Sequence, residues 1–229
     1  MDIAKNLQSI HQQISQLEQQ YQRTPDSVKL LVVTKQQNVD NIRAAITAGE
    51  RCFGENYLQE ALPKISALAS FDLEWHFIGK LQANKTKQIA QYFSWVDSID
   101  RIEIAKRLNQ QRPTHLPKLN CCIEVNLSQE ISKSGVRVHE ICTLAQEMQS
   151  LERLSLRGLM AIPQLMTDFE QQVALYQQLI DTQKKLQAFG INLDIISAGM
   201  SHDFAAAIAA GSTIIRIGSA IFGARTPKK

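Results

Sequence analysis

Short apolar runs recur along this chain at 28–33, 51–53, 73–78, 93–97, 119–126, 155–161, 193–197 and 213–217, and helical patterns separate them. The helical patterns fall near 39–48, 55–68, 82–91, 100–110, 137–150, 167–188 and 202–210, several opened by a capping residue such as Asn38 or Ser201. Strand followed by helix, repeated without interruption, favours a parallel sheet, because a parallel neighbour can be reached only by a crossover. Eight units of about 30 residues match a closed (β/α)8 barrel of the TIM type, with an open doubly wound sheet as the alternative. Ahead of the first strand, Ile3, Leu7, Ile10, Ile14, Leu17 and Tyr21 recur at helical spacing, which predicts an additional N-terminal helix docked by one stripe.

No Pro/Gly/Ser-rich linker or compositional break divides the alternation, so residues 1–229 are expected to form a single domain. A 44% hydrophobic content is enough for one large core. No apolar run is long enough to cross a membrane as a helix, and the polar N-terminal segment does not read as a signal peptide, so a cytoplasmic protein is expected. The net charge of +3 gives no indication of nucleic acid as a partner. Cys52, Cys121, Cys122 and Cys142 lack CxxC spacing and no histidine pair has helical ligand spacing, so free structural thiols and no metal centre are expected. Lys80, Lys85 and Lys87 in GKLQANKTK read as a solvated helix face.

A (β/α)8 barrel places its chemistry where strands end and helices begin. In VKLLVVTK, Lys35 shares a side with Leu31 and Val33 and so could project over the mouth. Position alone leaves two readings open: a lysine snorkelling from a strand end, or an amine whose charged form is disfavoured and which attacks a carbonyl. After the seventh and eighth strands, SAGMS and GSA supply small and hydroxyl residues, with Met200, Ser201, Gly218 and Ser219 in a pattern suited to a phosphate cradle. Ser201 also reads as an ordinary N-cap, and Gly218 and Ser219 as a turn. Arg216, inside the apolar strand TIIRIG, cannot shed its charge and must find a partner, either a salt bridge within the barrel or an acceptor on a ligand. Closing the barrel makes the first and eighth strands neighbours, and a phosphorylated aldehyde would satisfy Lys35, Arg216 and the cradle together.

The motifs VVTK, FGENYLQE, WHFIGKLQANK, GLMAIP and SAGMSHDFAAAIAAGSTIIRIGSAIFGAR together resemble the pyridoxal phosphate homeostasis protein family, over about nine tenths of the chain. That resemblance implies a barrel similar to the N-terminal domain of alanine racemase and other fold-type III enzymes, binding pyridoxal 5′-phosphate (PLP) without an established reaction. It implies that Lys35 forms the internal aldimine, that Asn56 lines the cofactor pocket, and that Met200, Ser201, Gly218 and Ser219 lie at the phosphate. Arg216 would face the pyridine nitrogen and, unable to give up a proton, would weaken the ring as an electron sink. The chain departs from the family pattern in VVTK for VSK, SAGM for SMGM and RIGS for RIGT, the last keeping the hydroxyl. His76 also fits the family pattern, with no role assigned. The implied function is buffering or delivery of PLP, and of other B6 phosphates, in amino-acid metabolism, with PLP-dependent apoenzymes as recipients and a monomeric state.

Two enzymatic readings compete. A PLP-dependent amino-acid racemase would need acid–base groups on both faces of the substrate and, in the resembling enzymes, a second β domain, which the short tail IFGARTPKK does not supply. A phosphate-binding barrel isomerase without PLP would need carboxylates at strand ends, for which Glu55 and Glu124 are the candidates.

Overall fold

A computed structural model describes residues 2–127, 134–164 and 166–223. The strands are β1 (Lys29–Val33), β2 (Cys52–Glu55), β3 (Glu74–Phe77), β4 (Trp95–Ile99), β5 (Leu119–Glu124), β6 (Leu154–Met160), β7 (Ile195–Ser197) and β8 (Ile214–Ile217). They pair in parallel and in chain order into a closed barrel, β1 meeting β8 with Leu31 opposite Arg216. The helices are α1 (Ile3–Gln20), α2 (Val39–Thr47), α3 (Leu58–Ala67), α4 (Thr86–Tyr92), α5 (Ile102–Gln111), α6 (Ile141–Gln149), α7 (Phe169–Ala188), α8 (Phe204–Ala210) and α9 (Ser219–Phe222). The tail residues 224–229 lie outside the described residues.

Strand alternation sorts the apolar side chains into two populations. Leu30, Val32, Phe53, Phe77, Val96 and Ile215 point outward into the large core shared with the helices. Each such side chain contributes roughly 1.5–3 kcal/mol on full burial. The barrel interior holds only small apolar groups of residues, Leu31, Val33, Cys52, Ile78 and Ile214 in one and Trp95, Cys122 and Met160 in the other. The rest of the interior is polar and is tolerated because most of its groups find hydrogen-bond partners among the described residues, with Trp95 Nε1 a buried exception.

The N-terminal helix completes the outer layer. Asp2 caps it by accepting from the Lys5 amide, and Leu7, Ile10 and Ile14 form its buried stripe. It packs on α2, α8 and α9. A full-length helix after β8 would lie between α8 and α2, but α9 has a single turn, and α1 covers that position instead.

Three local expectations need correction. The fourth strand is Trp95–Ile99 and not 93–97: Phe93 ends α4 and packs edge-on against Phe77 at 5.4 Å. In GKLQANKTK only Lys87 lies on a helix, because α4 begins at Thr86, with Lys85 as its cap residue and Lys80 in the preceding loop. Ser201 does not cap α8, which starts at Phe204 after Asp203. The Asn38 cap is present, its side chain accepting from the Asn41 amide at 2.8 Å.

Candidate functional site

At the C-terminal mouth of the barrel a cavity of about 430 Å³ is lined by Val33, Lys35, Asn56, Ile78, Ile162, Met200, Ser201, His202, Arg216, Gly218 and Ser219. Its size suits a cofactor-sized ligand. All seven residues singled out in the sequence lie on it. Lys35 follows β1 and is partly exposed; Asn56 follows β2. Sequence reasoning did not select Val33, Ile78, Ile162 or His202. Ile78 lies two residues beyond His76, which points into the barrel, and Ile162 falls within the quoted GLMAIP; alternation from an inward residue was the available signal for the first.

The two cradle loops meet through their hydroxyls, Ser219 Oγ donating to Ser201 Oγ at 3.1 Å. The Ser201 proton is thereby left for a further acceptor. Gly199 has φ +98°, and a Cβ there would lie 2.7 Å from that of Ala207, so the SAGMS loop turns only with glycine at this place. Asp203 holds the loop from beneath, accepting from the Met200 amide at 2.5 Å and from Tyr176 Oη at 2.8 Å. The first turn of α9 leaves the Ser219 and Ala220 N–H groups without intrahelical partners, beside these hydroxyls.

Arg216 is buried, and its partners within the protein are not the salt bridge that the sequence offered as one alternative. Nη1 donates to the Ser197 carbonyl at 2.6 Å and to Ser197 Oγ at 2.8 Å, and Nη2 to the Ala161 carbonyl at 2.8 Å. Among the described residues no carboxylate comes within ion-pair distance of it. Its positive charge is therefore fixed by neutral acceptors and stands in the cavity wall beside an amine and hydroxyl donors. An anion or a ring acceptor is the complementary ligand. Asn56 points the same way: its Oδ1 is buried with no hydrogen-bond partner among the described residues, and such an orphan is costly unless a ligand donor meets it.

Glu55 and Glu124 are both buried, but neither lines the cavity. Glu55 lies on the outer side of β2, where its carboxylate accepts from Lys64 Nζ and from Thr34 Oγ1, each at 2.6 Å. That outward packing removes it as an isomerase carboxylate. Burial and the neighbouring Asp100 push Glu124 up to about 7, with Arg216 and Lys80 opposing. Because the folded form holds the proton more tightly than the unfolded chain, its ionisation destabilises the protein as pH rises from the ordinary glutamate range to about 7. The loss is about 1.4 kcal/mol per pH unit, about 3 kcal/mol in all. Glu124→Gln should therefore gain up to about 3 kcal/mol relative to the parent between pH 5 and pH 8, measured by urea unfolding. A difference that does not change with pH would contradict this.

The composition of the wall, with one amine, one buried guanidinium, paired hydroxyls and an orphan acceptor, fits the cofactor that the sequence resemblance implies. A family model described as "Alanine racemase, N-terminal domain" matches residues 6–226. The pyridoxal phosphate homeostasis protein of Escherichia coli (strain K12) is 46% identical over 231 residues, covering 100% of this chain and 99% of that one. The chain belongs to the pyridoxal phosphate homeostasis protein family. A Vibrio cholerae member is 47% identical over 227 residues, 97% of this chain and 96% of its own. Among solved structures, PipY of Synechococcus elongatus with PLP bound is 33% identical, with a TM-score of 0.85 over 96% of this chain and 100% of that chain. An alanine racemase of Clostridium difficile, at 14% identity and a TM-score of 0.77 over 99% of this chain and 57% of its own, shares the fold. The pyridoxal phosphate homeostasis protein family thus meets this chain along its whole length, and the cavity lies at its barrel mouth.

Proposed function

We propose that this chain binds pyridoxal 5′-phosphate in the barrel mouth and serves vitamin B6 homeostasis, holding the cofactor for storage or delivery without turning over a substrate. The observation that carries the reading is the convergence of Lys35, Arg216, Ser201 and Ser219 on one cavity, in a chain whose relative PipY has been solved with PLP bound. PLP supplies a reactive aldehyde and an electron-withdrawing ring. Lys35, on the cavity wall, offers the amine that would condense with the aldehyde carbon, with release of water. Ser201, Ser219 and the first N–H groups of α9 take the phosphate, with Gly218 and Met200 shaping the approach. Asn56 accepts from the ring substituents. Arg216, in the cavity wall, would face the ring nitrogen and, as a permanent cation, would leave it unprotonated, which favours holding over carbanion chemistry.

In this reading the chain works as one barrel domain, as a cytoplasmic monomer, and passes PLP to apoenzymes. No described helix is long and apolar enough to cross a membrane. Ser201→Ala with Ser219→Ala should weaken PLP retention by about 10- to 100-fold, through loss of the charge-assisted Ser201 donor, worth about 1.5–3 kcal/mol, and of the Ser219 hydroxyl that orients it. Equilibrium dialysis measures this. The same variant should bind dephosphorylated pyridoxal as the parent does; equal affinity of the parent for PLP and pyridoxal would contradict the cradle. A racemase is the competing reading, favoured by the shared fold alone. Incubating the loaded protein with single L-amino acids and following chirality distinguishes them: turnover that disappears in Lys35→Ala would replace the carrier with an enzyme.

A further inference from the structure

The floor of the barrel, at the strand ends opposite the mouth, gathers three ligating side chains that cofactor binding leaves unused. Cys52 and Glu74 open β2 and β3 and are register partners, and His76 follows on the same side of β3. One donor atom from each, the Cys52 thiol, a Glu74 carboxylate oxygen and a His76 ring nitrogen, lie within 4.8 Å of one another. Glu74 Oε1 is 3.4 Å from Cys52 Sγ and 3.0 Å from His76 Nε2. Linear spacing could not reveal this group, because strand pairing assembles it across 24 residues.

The imidazole is fixed from behind. Its Nδ1 lies 3.0 Å from Asp97 Oδ1, and its ring stacks on Trp95 with centroids 4.9 Å apart and planes 6° from parallel. A carboxylate on one ring nitrogen that aims the other at the ion is the usual outer shell of a metal-bound histidine. Cys52 and His76 are buried, whereas Glu74 is partly exposed and meets the half-exposed Lys29, so the group opens to solvent on one side.

We propose that Cys52, Glu74 and His76 form a three-ligand site for a divalent cation of the zinc class, with water in the fourth position. Thiolate, imidazole and a single carboxylate suit zinc, whereas magnesium and calcium require a shell of oxygens. The ion takes the place of the thiol proton and of the proton between His76 Nε2 and Glu74. Two protons leave as a doubly charged ion enters, and the net charge of the barrel floor is unchanged. Lys29 gives up Glu74 and extends its flexible stem into solvent. The site lies at the far end of the strands from Lys35, so it stands or falls independently of PLP binding.

The test uses the full chain, stripped with a chelator and then titrated with Zn²⁺ against a chromophoric competitor, and in parallel with Co²⁺. The expected result is one ion per chain, with a thiolate-to-cobalt charge-transfer band in the near ultraviolet. Cys52→Ser should remove the band and weaken Zn²⁺ by about 100-fold or more, and Asp97→Asn should weaken it by about 10- to 100-fold. Cys142→Ser, which alters the one cysteine thiol that is not buried, should leave both readouts unchanged. Circular dichroism establishes that each variant is folded; should Asp97→Asn fail to fold, Cys52→Ser decides alone. Absence of the cobalt band in the parent, or a band and affinity that survive Cys52→Ser, would overturn the site.

Discussion

Lys35→Ala is expected to abolish the visible absorption of the PLP-loaded protein and to leave the cofactor removable by gel filtration. Lys35 lies two residues beyond Val33, whose side chain belongs to the barrel interior, and it lines the same cavity as the two serines. Alanine keeps the strand end but removes the amine, so loss of the covalent link should be complete while the phosphate grip persists. Residual binding should therefore be reversible and should still distinguish PLP from pyridoxal. The fold should be little affected, with a stability change within about 0.5 kcal/mol, because Lys35 is partly exposed and outside any regular element. An unchanged absorption band in Lys35→Ala would rule out this lysine as the point of attachment.

The second large effect is on stability. Lys64 lies on the buried face of α3, donating from Nζ to Glu55 Oε1 at 2.6 Å and to the Thr34 carbonyl at 2.8 Å. Burial pushes the Glu55 carboxyl up, and Lys64 is what opposes that shift. Lys64→Met removes the charge partner and leaves a carboxylate in the core, which should cost about 3–5 kcal/mol. Urea unfolding measures it. The double replacement Glu55→Leu with Lys64→Met should recover most of the loss, since two apolar side chains replace a desolvated pair. The network also ties the end of β1 to β2 directly ahead of Lys35, so Lys64→Met should slow cofactor capture even where the protein remains folded. A loss below about 1 kcal/mol would mean that Glu55 takes up a proton or rearranges instead.

The barrel was legible because its strands are buried on both faces and appear as continuous apolar runs. β1, with Leu30, Leu31, Val32 and Val33 all buried, is the clearest case. β2 was less so: Gly54 and Glu55 extend it past the apolar run that ends at Phe53, and neither residue reads as strand-forming. The start of α8 was misplaced because Ser201 has the composition of a cap, yet its hydroxyl meets Ser219 across the mouth. α9 is too short to give a period.

At the site, the residues at strand ends were legible and the paths between them were not. Lys35 and Arg216 stood out as charges at the end of one apolar strand and within another. The partners of Arg216 are backbone carbonyls and a serine on β7 and the segment after β6, which no one-dimensional pattern announces. The same holds for the line of polar contacts from Lys29 through Glu74, His76 and Asp97 to Ser197 and Arg216, which runs from floor to mouth across five strands. Register creates it, and register is not a property of any one segment.

The central claim is that Lys35 is the covalent anchor of PLP in the barrel mouth. Reducing the PLP-loaded protein with borohydride and mapping the modified peptide by mass spectrometry tests it most directly. The expected result is a single stable adduct on Lys35; an adduct on any other lysine, with Lys35 unmodified, would contradict it.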